Sequence, residues 1–284
     1  MLNQQWEYRN PVRIHSGVGS ICELPNLLPA AGEVLLVTSA GWIKRKPFDQ
    51  VCKLIGNDRL RVYSDVKPNP ELQSLDLAIT SMSRVAPVAV VGLGGGSVLD
   101  AAKVLAAGFS CSVKNPLHSI FREGLAHTWR TDIPVIAIPT TAGTGSEVTP
   151  YATVWDSKTE RKFSVSGDAI FPVHALLDGN LTASLPQKTT LNTALDATSH
   201  ALESLWNVNR SPVSQAFASQ ALSLLRANLP KVLVSPGDVA TRTRLLEASA
   251  LAGLAISQTK TALAHSVSYP LTCLLYTSPS PRDS

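Results

Sequence analysis

Val88-Ala89-Val90-Val91-Gly92-Leu93-Gly94-Gly95-Gly96-Ser97-Val98-Leu99-Asp100, running into Ala101-Ala102-Lys103-Val104-Leu105-Ala106, reads as strand, glycine turn and helix. Consecutive glycines let a backbone approach a phosphate closely, and the N–H groups opening a helix near Ser97 favour negative charge. The spacing is not G-x-G-x-x-G, so the ordinary dinucleotide fingerprint is absent, and a tight turn without a ligand stays open. A second loop of the same character follows the apolar run Ile133–Ile138: Pro139-Thr140-Thr141-Ala142-Gly143-Thr144-Gly145-Ser146-Glu147. Two such loops at the carboxyl ends of strands make a crevice suited to a pyrophosphate.

Working outward, Glu33–Thr38 and Leu60–Tyr63 are short apolar runs of the kind found in parallel strands buried on both faces, and Ala175–Asp178 gives a last one. The spacing predicts a helix from Glu71 to Val85, an extended edge segment over Trp6–Ile14, and a hairpin from Tyr151–Asp156 and Arg161–Val165. From Leu185 to about Leu271 the texture turns helical, with breaks at Asn209–Pro212 and Leu229–Pro236, so a domain boundary is expected near residue 180.

Within that helical part, Asp196 and His200 stand four residues apart and therefore share a helix face, while His265 comes from another segment. One oxygen and two nitrogens suit a borderline divalent cation, Fe²⁺ or Zn²⁺. A surface hydrogen-bonded pair is the plainer alternative for Asp196 and His200 taken alone.

The chain has 284 residues, 44% hydrophobic and 16% charged, enough for two domains or one large α/β unit. Its net charge of +4 comes from scattered basic residues, so no nucleic-acid partner is expected. No run approaches the roughly eighteen apolar residues of a membrane span, and the N-terminus shows neither a basic leader nor an apolar core. Cys22, Cys52, Cys111 and Cys273 form no C-x-x-C pair. A cytoplasmic protein with reduced thiols is expected.

Together, GGGSVLDAAK at 94–103, PTTAGTGSEVT at 139–149, D-x-x-x-H at 196–200 and HSVSYPL at 265–271 resemble the iron-containing (group III) alcohol dehydrogenase family, in consistent order from about Trp6 to Thr272. The resemblance implies an α/β protein of dehydroquinate synthase-like architecture. It would comprise an N-terminal Rossmann-like nucleotide-binding domain over 1–180 and an all-helical metal-binding domain over 181–272. It further implies that Gly95, Gly96, Ser97 and Asp100 bind a pyrophosphate, that Thr140, Thr141, Thr144 and Ser146 line the cofactor cleft with Lys162, and that Asp196, His200 and His265 hold iron or zinc. The cofactor is left as NAD(P). Where the family often has an acidic residue to grip the ribose of NAD, this chain has Thr38-Ser39-Ala40-Gly41, and Lys44 or Arg45 is placed to meet a 2'-phosphate.

Two departures stand out. Tyr269 occupies a position where the family commonly has a proton-relay histidine, and is the candidate catalytic hydroxyl. The family's P-H-G motif, source of a fourth ligand, is replaced after Thr272 by residues 273–284, expected to be a non-native tail on a C-terminally incomplete member. The phrases WEYRNPVRIHSG, SHALESLWNVN and HSVSYPLT are similar to phosphonoacetaldehyde reductases. The implied function is metal-dependent, NAD(P)-linked interconversion of a small alcohol and aldehyde. Phosphonoacetaldehyde reduced to 2-hydroxyethylphosphonate is the specific case. A glycerol dehydrogenase-like enzyme and an inactive fragment serving only as a nucleotide-binding module stay open, as does a homo-oligomer; no membrane partner is expected.

Overall fold

The structure, a computed structural model, describes residues 5–83, 85–263 and 265–267. Its centre is a six-stranded sheet of β1 (Arg13–Ser16), β2 (Val34–Val37), β3 (Leu60–Tyr63), β4 (Ala89–Gly94), β5 (Val135–Pro139) and, after the hairpin β6 (Tyr151–Asp156) and β7 (Arg161–Ser166), β8 (His174–Leu177). The order is β1-β8-β5-β4-β2-β3 and every pairing is parallel. From β2 the chain moves to β3 on one side, and from β4 to β5 on the other. The winding therefore reverses between β2 and β4, where open α/β sheets form a ligand crevice outside the carboxyl ends of their strands.

The apolar runs alternate between two cores, because successive side chains of a strand point to opposite faces. Val34, Leu36, Val91 and Leu93 pack with Trp42, Phe48 and Val51, which belong to α2 (Ala40–Ile43) and α3 (Lys46–Ile55); α1 (Leu24–Leu27) closes the same face. Leu35, Val37 and Val90 face α4 (Leu72–Met82) and α5 (Gly96–Phe109), with α6 (Pro116–Phe121) beyond. The hairpin lays Ala152, Val154 and Val165 over α5, which is buried from Gly96 to Gly108. This burial on all sides explains why α5 is apolar apart from Ser97, Asp100 and Lys103.

The remaining helices are α7 (Gln187–Trp206), α8 (Pro212–Val234) and α9 (Val239–Thr259). They meet through Ala197, Ala201, Ala218, Ala221, Ala248 and Ala252, small residues that let helix axes approach closely. A serine capping box at Ser211 and Ser214 starts α8, and the Asp238 carboxylate accepts from Thr241 N–H to start α9.

Three boundaries differ from the sequence expectation. Strand pairing at the N-terminus covers only Arg13–Ser16 rather than Trp6–Ile14, and α4 ends at Met82. Helix α8 continues through Pro230 instead of breaking at Leu229, because Val232 beyond the proline is buried against its neighbours and offsets the lost hydrogen bond. Among the described residues no helix is long and apolar enough to cross a membrane.

Candidate functional site

Asp196 and His200 lie one turn apart on α7, and His265 reaches them from a short helical turn after α9. The Asp196 Oδ1 atom stands 3.9 Å from His200 Nε2 and 3.5 Å from His265 Nε2. The two imidazoles stack with centroids 4.5 Å apart and planes at 14°. One ligand atom from each of the three residues falls within 4.8 Å of the others. Two atoms bound to one ion at about 2.1 Å each are at most about 4.2 Å apart, so the two carboxylate distances already fit and the imidazole pair needs only a small adjustment.

The other ring nitrogens decide whether the donors are usable. His200 Nδ1 lies 3.2 Å from the carbonyl oxygen of Gly143, which can only accept, so the proton sits on Nδ1 and the Nε2 lone pair faces Asp196. His265 Nδ1 lies 2.9 Å from Glu203 Oε1, a closer acceptor than the Asp196 oxygen 3.5 Å from Nε2, so the neutral ring favours its proton on Nδ1. Metal-binding histidines characteristically donate their second nitrogen to a carbonyl or carboxylate in this way, and a set of one carboxylate and two neutral imidazoles fits Fe²⁺ or Zn²⁺. Burial pulls the His265 imidazole down, but the Asp196 and Glu203 carboxylates outweigh it and raise its pKa above the usual value. Burial pushes the Glu203 carboxyl up, yet the Ala262 and His265 donors together hold it below its usual range.

Glu203 was not singled out from the sequence, although the spacing D-x-x-x-H-x-x-E carries a signal. Positions i, i+4 and i+7 fall within about 60° of one another around a helix of 3.6 residues per turn.

The two glycine turns sit side by side at the carboxyl ends of β4 and β5. Thr140 N–H donates to Gly94 O at 3.0 Å, and a Cβ on Gly96 would stand 2.6 Å from the Thr144 side chain. Helix α5 starts at Gly96, with Gly95 as its N-cap, so its first-turn amides open beside β2 at the reversal point. Of the residues expected here, Gly95, Gly96 and Ser97 form that turn, while Thr140, Thr141 and Thr144 lie buried in the adjoining loop. Thr140 Oγ1 accepts from Trp42 Nε1 at 3.1 Å, and Thr144 Oγ1 accepts from Ser146 N–H.

Asp100 and Ser146, also expected around the cofactor, are engaged with each other beneath the two turns. Asp100 lies one turn inside α5, 3% exposed, and its carboxylate accepts from Ser146 Oγ at 2.5 Å and Thr153 N–H at 2.9 Å. Together they brace the second loop from beneath. Lys103 completes this brace, donating to the carbonyls of Ser146, Thr149 and Tyr151. Lys162 stands on β7 with Nζ 5.9 Å from the Trp155 ring centroid, and Trp155 N–H donates to Pro70 O, which ties the hairpin to the loop after β3. Arg45, expected to be available to a 2'-phosphate, instead lies over Trp42 and donates to Ser184 Oγ. Tyr269 and the tail 273–284 lie outside the described residues.

The second loop also joins the sheet to the helices. A Cβ on Gly143 would meet Thr193 of α7, and one on Gly145, whose φ is +62°, would stand 2.5 Å from Gly253 Cα of α9. These glycines serve close backbone packing, and the carbonyl of one of them holds a metal-site histidine.

The family model for iron-containing alcohol dehydrogenase matches residues 11–179, and that for the C-terminal part of the Fe-containing alcohol dehydrogenase family matches 190–278. A 1-propanol dehydrogenase from Citrobacter freundii is 32% identical over 262 residues, 91% of this chain and 65% of that protein. The chain thus spans just under two thirds of that relative's length. A sulfoacetaldehyde reductase from Bilophila wadsworthia is 30% identical over 268 residues, 92% of this chain and 68% of the relative. The crystal structure of a sulfoacetaldehyde reductase from Bifidobacterium kashiwanohense in complex with NAD⁺ superposes with a TM-score of 0.90 at 30% identity, covering 98% of this chain and 74% of the other. Shared sequence over both halves and a shared fold place this chain in the iron-containing alcohol dehydrogenase family.

Proposed function

We propose that the chain serves an NAD-linked interconversion of a small alcohol and aldehyde at a metal held by Asp196, His200 and His265. The observation that carries this reading is the convergence of those three donors, with both histidine tautomers set for coordination. When bound, such a cation polarises a carbonyl or alcohol oxygen. The chain's own contribution is to bind and orient. The amides at the start of α5 would hold the pyrophosphate, the buried Thr140–Thr144 loop would wall the cleft, and Lys162 of the hairpin would supply a cation to the cofactor. Asp196 and His200 are ligands here, not acid–base groups. Proton exchange belongs to Tyr269 or solvent.

NAD is the proposed cofactor, supported by the NAD⁺ complex of the related reductase. NADP use is the alternative, and with Arg45 engaged by Trp42 and Ser184 it rests on Lys44. For the substrate, phosphonoacetaldehyde is supported by the phrases WEYRNPVRIHSG and SHALESLWNVN and by relatives named for sulfoacetaldehyde, another small aldehyde carrying an anion. The 1-propanol dehydrogenase relative supports a neutral short-chain aldehyde as the second reading.

The test is oxidation of NADH and NADPH by the purified chain supplied with Fe²⁺ or Zn²⁺, with phosphonoacetaldehyde and propanal as competing substrates. Metal-dependent oxidation, faster with phosphonoacetaldehyde, is the expected result. Tight NADH binding without metal uptake or turnover would instead identify a nucleotide-binding module.

A further inference from the structure

We propose that Glu203 is a positioning residue that fixes both the backbone and the ring of His265 relative to the helix carrying the other two metal ligands. The inference rests on the metal reading above and adds a residue to it. Helix α9 ends at Lys260, whose φ of +62° reverses the chain, and the turn bearing His265 follows within a few residues. At the start of this stretch the Asn207 amide, just past α7, donates to the Lys260 carbonyl, and Thr259 meets Ser204 of α7. Beyond these, the group that reaches the turn itself is the Glu203 carboxylate, fully buried on α7.

One carboxylate oxygen accepts from Ala262 N–H. The other accepts from His265 N–H at 3.1 Å and faces His265 Nδ1 at 2.9 Å. A single side chain therefore caps the turn's backbone and selects the imidazole tautomer. Since Asp196, His200 and Glu203 share one face of α7, the carboxylate that holds His265 and the other two donors belong to the same rigid element. Without Glu203, the Nδ1 proton loses its acceptor, and the nearest remaining carboxylate is Asp196, 3.5 Å from Nε2. The neutral ring then protonates on Nε2, the nitrogen a metal needs bare.

The experiment uses the full chain labelled with ¹⁵N-histidine and compares wild type, Glu203→Ala and Glu203→Gln. Ring-nitrogen shifts of the metal-free protein, taken above the imidazole titration, report which nitrogen carries the proton. Titration with Co²⁺, read by its absorption bands, reports metal affinity. The expected result is an Nδ1–H tautomer for His265 in wild type that is lost in Glu203→Ala, with His200 unchanged and Co²⁺ affinity lower by about 10- to 100-fold. Glu203→Gln preserves side-chain shape but offers one acceptor oxygen where the carboxylate offers two. It is expected to fall between the other two, and it decides the matter if the alanine variant does not fold.

An unchanged His265 tautomer in a folded variant, or unchanged Co²⁺ affinity, overturns the proposal. Loss of the tautomer on substitution in a chain whose wild type takes up no Co²⁺ upholds the role of Glu203 and overturns the metal reading instead.

Discussion

Replacing Gly143 with alanine attacks the joint between the loop after β5 and helix α7, which carries two of the proposed metal ligands, through a single methyl group. The new Cβ would stand 2.9 Å from both Cβ and O of Thr193 and 3.1 Å from its Cα. Carbon contacts settle at about 3.5 Å or more, so the loop and α7 must part by roughly 0.6 Å. Backbone atoms form part of this contact, so a rotamer change cannot relieve it. The Gly143 carbonyl accepts from His200 Nδ1 at 3.2 Å, and the same displacement stretches that bond past a useful length. Overpacking of this kind costs about 1–3 kcal/mol and the lost hydrogen bond about 1 kcal/mol, giving roughly 2–4 kcal/mol of destabilisation. Metal affinity should fall by about 10- to 100-fold as His200 loses its orientation. Urea unfolding and Zn²⁺ titration measure the two effects. Gly41→Ala is the control, since a Cβ there meets nothing within 4 Å. Gly143→Ala with the unfolding midpoint of the control and the metal affinity of wild type would refute the coupling.

Three further outcomes are expected. His200→Ala should abolish metal uptake while leaving the dissociation constant for NADH nearly unchanged, because the ring lies on α7 and the pyrophosphate amides on α5; retained metal, measured by elemental analysis, counts against the ligand assignment. Ser39→Asp, between β2 and α2 beside the crevice, should shift the ratio of NADH to NADPH affinity toward NADH by about tenfold, near 1.4 kcal/mol, and an unmoved ratio would dismiss a ribose role for this position. Glu147 is buried, and desolvation raises its pKa from 4.5 to about 7 despite the pull of Lys103. The folded state thus holds a proton that the unfolded chain has released, so Glu147 makes stability fall as pH rises from 4.5 to about 7. At 1.36 kcal/mol per unit, this contribution is at most about 3 kcal/mol. In urea unfolding against pH, Glu147→Gln should flatten that segment; an identical slope in the variant would be the contrary result.

Much of the fold is legible in the sequence because it is written in local patterns. A strand buried on both faces must be apolar at every position, so Val34–Val37 and Ala89–Leu93 announce themselves, and Gly94–Gly96 marks the turn into α5. The short α2 and α6 carry too few turns to show a period, and α8 passes through Pro230 for reasons of tertiary burial that no local rule contains. The site divides along the same line. Asp196 and His200 share a helix face by spacing alone, whereas the approach of His265 depends on three packed helices. Asp100 and Ser146 illustrate the limit most clearly: two polar residues beside separate glycine turns, 46 positions apart, hydrogen-bond each other, a pairing that no local pattern contains. No motif discloses that a loop carbonyl at Gly143 sets the His200 tautomer, whereas the helical spacing from Asp196 to Glu203 does hold a signal for the acceptor of His265.

The most direct measurement is the anomalous difference map of crystals of this chain grown with Zn²⁺ and NADH, recorded at the zinc edge. The account predicts one strong peak bounded by an Asp196 carboxylate oxygen and the Nε2 atoms of His200 and His265. A cofactor seated over the glycine turns with no peak at these three residues, or with zinc bound elsewhere, would contradict it.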